Sequence, residues 1–435
     1  MILLNDLHDM SFRARKSFLD LSVSPLSQRN EVLIRMADLL GSSADELFAA
    51  NNEDIRQSEL EGLSSPLLHR LKFGPDKLKQ VCDGLHSLAD LADPIGATTI
   101  STEITEGLNL YRVVCPIGVI GVIFESRPDA LIQIASLCVK SGNAVLLKGG
   151  REALRTNQAL CRIVRKALQD SGLPADCAQL LESREDVASM LKEDELIDLI
   201  IPRGSNAFVR YIMDNSRIPV LGHADGICHV YIDRDADPEK AVRITVDSKT
   251  QYVSVCNAAE TLLIHEDAAP ALLPEIAKAL KAKNVEIRGD EAASKIIDCI
   301  PASEKDWSTE YLDYIISVRV VHSLREAVDH INHFGSHHTD SIVTENRDTA
   351  AEFMNRVDSA GVYWNVSTRF ADGFVYGFGA EVGIATGKIH ARGPMGLEGL
   401  TTYKYKLIGN GNILAEMKDG TRTYTHRPLG ENCPL

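Results

Sequence analysis

Residues 119–150 read VIGVIFESRPDALIQIASLCVKSGNAVLLKGG, and this stretch decides the fold class. Val119–Phe124 is a continuous apolar run, as expected of a strand covered on both faces. Ala130–Lys140 follows at helical spacing, with Leu131, Ile134, Leu137 and Cys138 on one side. Gly142-Asn143 stops that helix, and Ala144–Leu147 reads as a second short strand. Strand, helix and strand within about thirty residues make the βαβ unit of a parallel sheet.

Outward from this unit the alternation continues. Glu152–Gln169 is a long amphipathic helix ended by Ser171-Gly172, and Gln179–Leu181, Val187–Leu191 and Leu196–Ile201 carry the pattern on. After Asp225-Gly226 it restarts. Strands His229–Ile232, Glu260–His265, Ile315–Val321, Ser341–Thr344 and Gly361–Asn365 interleave with helices Pro238–Thr250, Ala268–Ala282, Leu324–Asn332 and Arg347–Val357. The expectation is an α/β protein of two doubly wound units, each with its own core. Ahead of them, residues 1–93 read as mostly helical, with Ser27 and Ser43 as N-caps and breaks at Gly41 and Asn51-Asn52. Thr98–Thr105 and Leu108–Val114 alternate around Gly107 and read as a hairpin. From Phe370 to Gly399 the chain is Gly-rich and irregular. Thr401–Ile408 alternates again, an edge suited to pairing with a partner, and the last 25 residues read as weakly ordered.

Composition narrows the function. Forty-six Lys+Arg against sixty-one Asp+Glu give a net charge of −15 over 435 residues, a poor match to nucleic acid or an anionic membrane. Positive charge for an anionic substrate must therefore be local. No apolar run approaches the roughly 18 residues of a transmembrane helix, and Met1–Phe18 has no signal-peptide core. Nine cysteines, an odd number without a CxxC, fit free thiols in a reducing, cytoplasmic compartment.

Three turns at strand ends carry cations: Glu125-Ser126-Arg127-Pro128-Asp129, Lys148-Gly149-Gly150-Arg151 and Arg203-Gly204-Ser205-Asn206. Ligands of open α/β sheets sit beyond the carboxyl ends of the strands. Singly, each turn reads as well as a polar loop. Together, Arg127, Lys148 and Arg203 make a positive funnel for phosphate or carboxylate. Gly204 admits close backbone approach, and Ser205 suits a helix cap or a phosphate contact. Neither GxGxxG nor a Walker A loop occurs. Cys256, among small residues before a strand, reads either as a buried small side chain or as a nucleophile with N–H donors nearby. His330, His333, His337 and His338 lack an HExxH glutamate; they read as a polar wall beside a site, and no metal is expected. Arg369 and Arg392 are further anion-binding candidates.

Ala327-Val328-Asp329-His330-Ile331, continuing through Gly335-Ser336-His337-His338-Thr339-Asp340 to Ile342, is similar to the signature segment of the γ-glutamyl phosphate reductases, or glutamate-5-semialdehyde dehydrogenases. That family belongs to the aldehyde dehydrogenase superfamily. Phe334 stands where His or Tyr is expected. Residues 123–128, 147–150, 201–205, 256–258 and 390–402 resemble other family segments, so the resemblance runs from about residue 10 to about residue 410.

The resemblance implies an aldehyde dehydrogenase-like fold. Residues 1–225 would form the cofactor domain, to which 385–400 return, and 226–384 the catalytic domain. The hairpin 98–115 and residues 401–435 would form a small β oligomerisation element, giving a dimer or tetramer. The implied reaction is reduction of L-glutamyl 5-phosphate, supplied by a glutamate 5-kinase, to L-glutamate 5-semialdehyde in proline biosynthesis. Cys256 is implied as the catalytic nucleophile, Lys148, Gly204, Ser205 and Glu310 as residues holding NADPH, and Arg127, Arg369, Arg392 and His223 as substrate-binding. His223 stands where hydrolytic members carry the Glu that activates water, a replacement suited to an acyl-phosphate reductase. Arg127 lies at or beside the superfamily's oxyanion-binding Asn. Competing readings are oxidation of another small aldehyde, and a silent binding protein of the same fold.

Overall fold

The computed structural model describes residues 3–182, 186–223 and 225–435. Five helices come first: Leu3–Ser22, Leu26–Ser42, Ala44–Leu60, Ser65–Leu71 and Pro75–Asp90. The break expected at Gly41 comes at Ser43, where the second helix gives way to the third; the one expected at Asn51-Asn52 is absent. Gly41 lies in the last turn of the second helix, and Asn51-Asn52 lie inside the third. Asn51 is buried; its amide donates to the Leu71 carbonyl at 2.9 Å and its side-chain oxygen accepts from the Phe73 N–H at 2.8 Å. These tertiary bonds override its weak helix propensity. Ser27 is also not a cap. It sits within the second helix, whose N-cap position is Pro25, and Ser43 fills the N-cap position of the third without a side-chain cap bond.

Thr98–Thr105 (β1) and Leu108–Pro116 (β2) form an antiparallel hairpin, with Gly107 at φ 73° in the turn. Val119–Phe124 (β3), Ala144–Lys148 (β4), Ala178–Leu180 (β5) and Leu199–Arg203 (β6) make a parallel sheet in the order β5-β4-β3-β6. Every residue of β3 and β4 is buried, which is why their sequences show no alternation. The helix after β3 begins at Pro128, where a missing N–H costs nothing.

The second sheet has seven strands: Cys228–Ile232 (β7), Ala259–His265 (β8), Glu286–Gly289 (β9), Ile300–Pro301 (β10), Ile315–Val321 (β11), Thr339–Val343 (β12) and Gly361–Trp364 (β13). Their order is β10-β9-β11-β8-β7-β12-β13, parallel throughout. Helices Pro238–Thr250, Ala269–Lys281, Leu324–Phe334 and Arg347–Arg356 are its crossovers. β9 and β10 have no counterpart in the sequence reading. β9 buries Ile287 between the half-buried charges Glu286 and Arg288, too short an alternation to register.

Each sheet has its own hydrophobic core. Val382, Ala385, Met395, Leu397 and Leu400 of the Gly-rich segment pack into the core of the first sheet. That segment contains a small antiparallel pair, Gly383–Ala385 (β14) and Gly393–Met395 (β15). Thr401–Ile408 (β16) pairs with β2 of its own chain, and Arg427–Pro428 (β17) pairs with β1, giving a sheet β16-β2-β1-β17. The tail is therefore anchored rather than weakly ordered. The Leu429 N–H donates to Ser101 O at 3.1 Å, the Cys433 N–H to Thr98 Oγ1 at 2.9 Å, and the Tyr111 hydroxyl to Glu431 at 2.8 Å. Among the described residues no helix is long and apolar enough to cross a membrane.

Among the described residues, one lysine–carboxylate pair is fully buried. Lys249 Nζ, at the end of its crossover helix, meets Glu260 Oε2 on β8 at 2.5 Å, with both side chains inaccessible to solvent. Removing one partner strands a buried charge. Lys249→Met is expected to cost about 3–5 kcal/mol in a urea titration, and Lys249→Met combined with Glu260→Met to recover most of it. Equal loss in the single and double variants would contradict this account.

Candidate active site

The strand-end cations and the cysteine come from opposite sheets. Arg127, Lys148 and Arg203 end or follow β3, β4 and β6, at the carboxyl edge of the first sheet. Cys256 and His338 lie just before β8 and β12, at the amino edge of the second. Asn206, which opens helix Asn206–Asn215 after β6, joins the two. Its amide donates to Glu310 Oε2 at 2.5 Å and to Asp225 Oδ1 at 2.8 Å. A cavity of about 460 Å³ lies here, with Arg210 and Asp225 on one side, Ser308, Ser336 and His337 on the other, and His223 in its wall.

The Cys256 turn is pinned from several directions. A Cβ on Gly226 would come within 2.2 Å of the Cys256 carbonyl oxygen, so only glycine fits at that contact. The Cys228 thiol donates to the same carbonyl at 3.2 Å. The Asn257 amide donates to Ala371 O at 2.9 Å, and the Thr368 hydroxyl to Asn257 O at 2.7 Å. So held, Cys256 Sγ lies 3.2 Å from His338 Nε2. His338 Nδ1 lies 2.9 Å from Thr339 Oγ1. With the ring proton on Nδ1, the Nε2 lone pair accepts from the thiol. Burial, reinforced by His223, holds His338 well below the usual histidine range, so the ring is a neutral acceptor near pH 7. His223 stands edge-on to it with ring centroids 5.0 Å apart, and its own Nδ1 is 2.7 Å from Ile384 O.

The surrounding charges oppose a free thiolate. Burial first, then Glu310 and Glu381, push the Cys256 thiol up to about 12, while its own backbone N–H and Arg203 act the other way. Glu381 is itself pushed up to about 7, chiefly by burial. Attack by this sulfur therefore needs a base in contact with it, and His338 occupies that place.

The remaining sequence candidates fall into groups. Arg203 and Arg369, both half-buried, are close enough to couple electrostatically to Cys256, and the exposed Arg127 couples to Arg203. Arg369 Nε also donates to Gln251 Oε1 at 2.9 Å. Lys148, 6% exposed, points its Nζ to Gly149 O at 2.8 Å. The Ser205 N–H donates to Glu125 Oε2 at 3.1 Å, and a Cβ on Gly204 would lie 2.5 Å from the same oxygen. Glu310 is raised by burial and coupled to the thiol. Arg392 is engaged elsewhere: its guanidinium donates to Asp358 Oδ1 at 3.1 Å, Asp358 O at 2.9 Å and Thr386 O at 3.2 Å. The sequence reading gave no individual role to His338, Glu381 or Asn206. His338 lay inside the histidine run, but 82 residues separate it from Cys256, so no local spacing marks the pair.

A thiol titrating near 12 is almost wholly protonated at neutral pH. Iodoacetamide labelling of Cys256, read site by site by mass spectrometry, is expected to rise about tenfold per pH unit between pH 7 and 9. A plateau already at pH 7 would mean that the proton rests on His338 in the ground state.

The aldehyde dehydrogenase family model matches residues 5–296. The γ-glutamyl phosphate reductase of Acetivibrio thermocellus is 58% identical over 98% of this chain and 99% of its own. The crystal structure of γ-glutamyl phosphate reductase from Thermotoga maritima superposes with a TM-score of 0.92 at 38% identity, covering 94% of this chain and 99% of that one. Glyceraldehyde-3-phosphate dehydrogenase of Methanocaldococcus jannaschii, complexed with NADP, shares the fold at a TM-score of 0.64 and 15% identity, over 94% and 95% of the two chains. A family match over most of the chain, joined to near-complete alignment with relatives of one name, settles the kinship: the chain belongs to the aldehyde dehydrogenase family, among its γ-glutamyl phosphate reductases.

Proposed function

We propose that the chain reduces L-glutamyl 5-phosphate to L-glutamate 5-semialdehyde, with NADPH as reductant and a thioester on Cys256 as the intermediate. The observation that carries the reading is the 3.2 Å approach of Cys256 Sγ to neutral His338 Nε2, beside a cavity and within reach of Arg203 and Arg369. His338 takes the thiol proton as the sulfur attacks the acyl carbon, and phosphate leaves against the arginines. The Cys256 backbone N–H faces the developing oxyanion. In breakdown of the thioester, Cys256 leaves as thiolate and recovers its proton from His338. A nicotinamide cofactor, general to the family, supplies the hydride to the thioester carbon. His223, with its Nδ1 held by Ile384 O and no carboxylate to activate water, leaves the thioester to reduction rather than hydrolysis.

The residues fit a dinucleotide. The start of helix Asn206–Asn215 already holds an anion, the Glu125 carboxylate on the Ser205 N–H, in the way a helix start holds phosphate. Lys148, Gly204 and Ser205 would hold the cofactor phosphates and Glu310 its ribose, on a cofactor domain of residues 1–225 with 385–400. Residues 226–384 would carry the chemistry. Arg127 and Arg369 would bind the substrate's carboxylate or phosphate. A labile acyl phosphate calls for a glutamate 5-kinase close by, and nine free thiols suit the cytoplasm. A dimer or larger homo-oligomer would form along β16, an edge strand with Tyr403, Tyr405 and Leu407 exposed at 52%, 58% and 59%.

Cys256→Ala is expected to lower turnover by about 10⁴-fold or more while NADPH binding, followed by fluorescence, is kept. In the reverse direction, semialdehyde and NADP⁺ should yield NADPH only when inorganic phosphate is present. Equal rates without phosphate would favour the aldehyde-oxidising reading instead.

A further inference from the structure

We propose that Cys256, His338 and His223 form a binding site for a thiophilic divalent cation of the Zn²⁺ type, which caps the nucleophile and reversibly arrests the enzyme. Cys256 Sγ and one nitrogen from each histidine all lie within 4.8 Å of one another. In a tetrahedral zinc site, bonds of about 2.3 Å to sulfur and about 2.0–2.1 Å to nitrogen separate the ligand atoms by roughly 3.5 Å. The Sγ–Nε2 distance of 3.2 Å is already close to this, and closure is left to His223, whose ligand nitrogen lies within 4.8 Å of the other two atoms.

Each imidazole is prepared as metal-binding histidines usually are. Nδ1 of His223 faces Ile384 O at 2.7 Å and Nδ1 of His338 faces Thr339 Oγ1 at 2.9 Å. The Ile384 carbonyl can only accept, so it places the ring proton of His223 on Nδ1; the Thr339 hydroxyl accepts the corresponding proton of His338 when Nε2 faces the sulfur, and Nε2 is then the donor atom of both rings. Burial keeps both rings neutral, the form a metal requires. Glu310 and Glu381, which oppose a bare thiolate, favour a thiolate bearing a dication. His223 also lines the cavity of about 460 Å³, so one of the three ligands faces open space from which a metal can approach.

On binding, the Cys256 S–H bond breaks, its proton passes to solvent, and the sulfur lone pair forms the bond to the metal. That lone pair is the one needed to attack the acyl carbon, so metal and acyl group exclude each other. The arrest, though not the metal site, rests on Cys256 being the nucleophile.

The test uses the full-length, chelator-washed protein titrated with Co²⁺ as a spectroscopic substitute. One equivalent is expected to produce a near-ultraviolet thiolate-to-cobalt band that Zn²⁺ displaces. The band should vanish in Cys256→Ser, persist in Cys228→Ser (the neighbouring thiol), and need about tenfold or more Co²⁺ in His223→Gln and His338→Gln. In the unaltered protein Zn²⁺ should also block iodoacetamide labelling of Cys256, with EDTA restoring it, a readout that needs no variant to fold. No band, a band surviving in Cys256→Ser, or labelling indifferent to Zn²⁺ would overturn the site. These readouts need no turnover. A protein that reduces its substrate yet binds no cobalt refutes the metal site alone, whereas turnover by Cys256→Ala refutes the catalytic reading alone.

Discussion

A sulfur that is to attack must first lose a proton, and among the described residues His338 Nε2 stands within reach of the Cys256 thiol to take it. The contact between Cys256 and His338 is the constraint around which the site is built. It is not a contact between adjacent strands, because β7 lies between β8 and β12. Strands about 4.8 Å apart put β8 and β12 roughly twice that distance from each other. The turns before them must lean across the end of β7 to meet. Cys228, the first residue of β7, fills the gap: its sulfur touches the Cys256 carbonyl and lies 3.7 Å from His338 Nδ1. Gly226 then admits the Cys256 backbone where any larger residue would hold it off. Sheet order, one small thiol and one missing Cβ together set a sulfur–nitrogen distance.

The same site reconciles an acidic protein with an anionic substrate. A net charge of −15 repels phosphate at long range, but screening limits that repulsion to about 10 Å at ordinary ionic strength. Within that radius Arg203, at the end of β6, and Arg369, in the short turn after β13, both act on the thiol. Asn206 locks the two sheets together through Glu310 and Asp225. The cations are thus brought together by tertiary structure, not by any basic run in the chain.

What the sequence discloses follows from how local each cause is. β3 and β4 announce themselves because full burial leaves no polar residue in β3 and only the terminal Lys148 in β4, and the crossover Pro238–Thr250 because its proline and capping Asp237 are adjacent. Ile315–Val321 is legible from its β-branched run, although Ser317 and the half-buried Arg319 interrupt it. Asn51 misled because its partners, Leu71 and Phe73, lie a turn and a helix away. The tail misled because its partner strand lies more than 300 residues earlier, so nothing nearby hints at order. At the site, cations at strand ends were visible from topology alone. The histidine that meets Cys256 was not, since four histidines in a row of nine residues look alike until the sheet order singles one out.

The four-stranded sheet built on the hairpin is lopsided. On one flank lies β17, two residues long and ending in Pro428, a poor template for further backbone pairing. On the other lies β16, eight residues without proline. Main-chain growth therefore has a single available direction. Two copies that joined through it would use up that flank in each, and growth beyond a pair would need another surface. Assembly by this route would be self-limiting, because Arg427 and Pro428 already occupy β1 and leave that flank without a template for running on into a fibre.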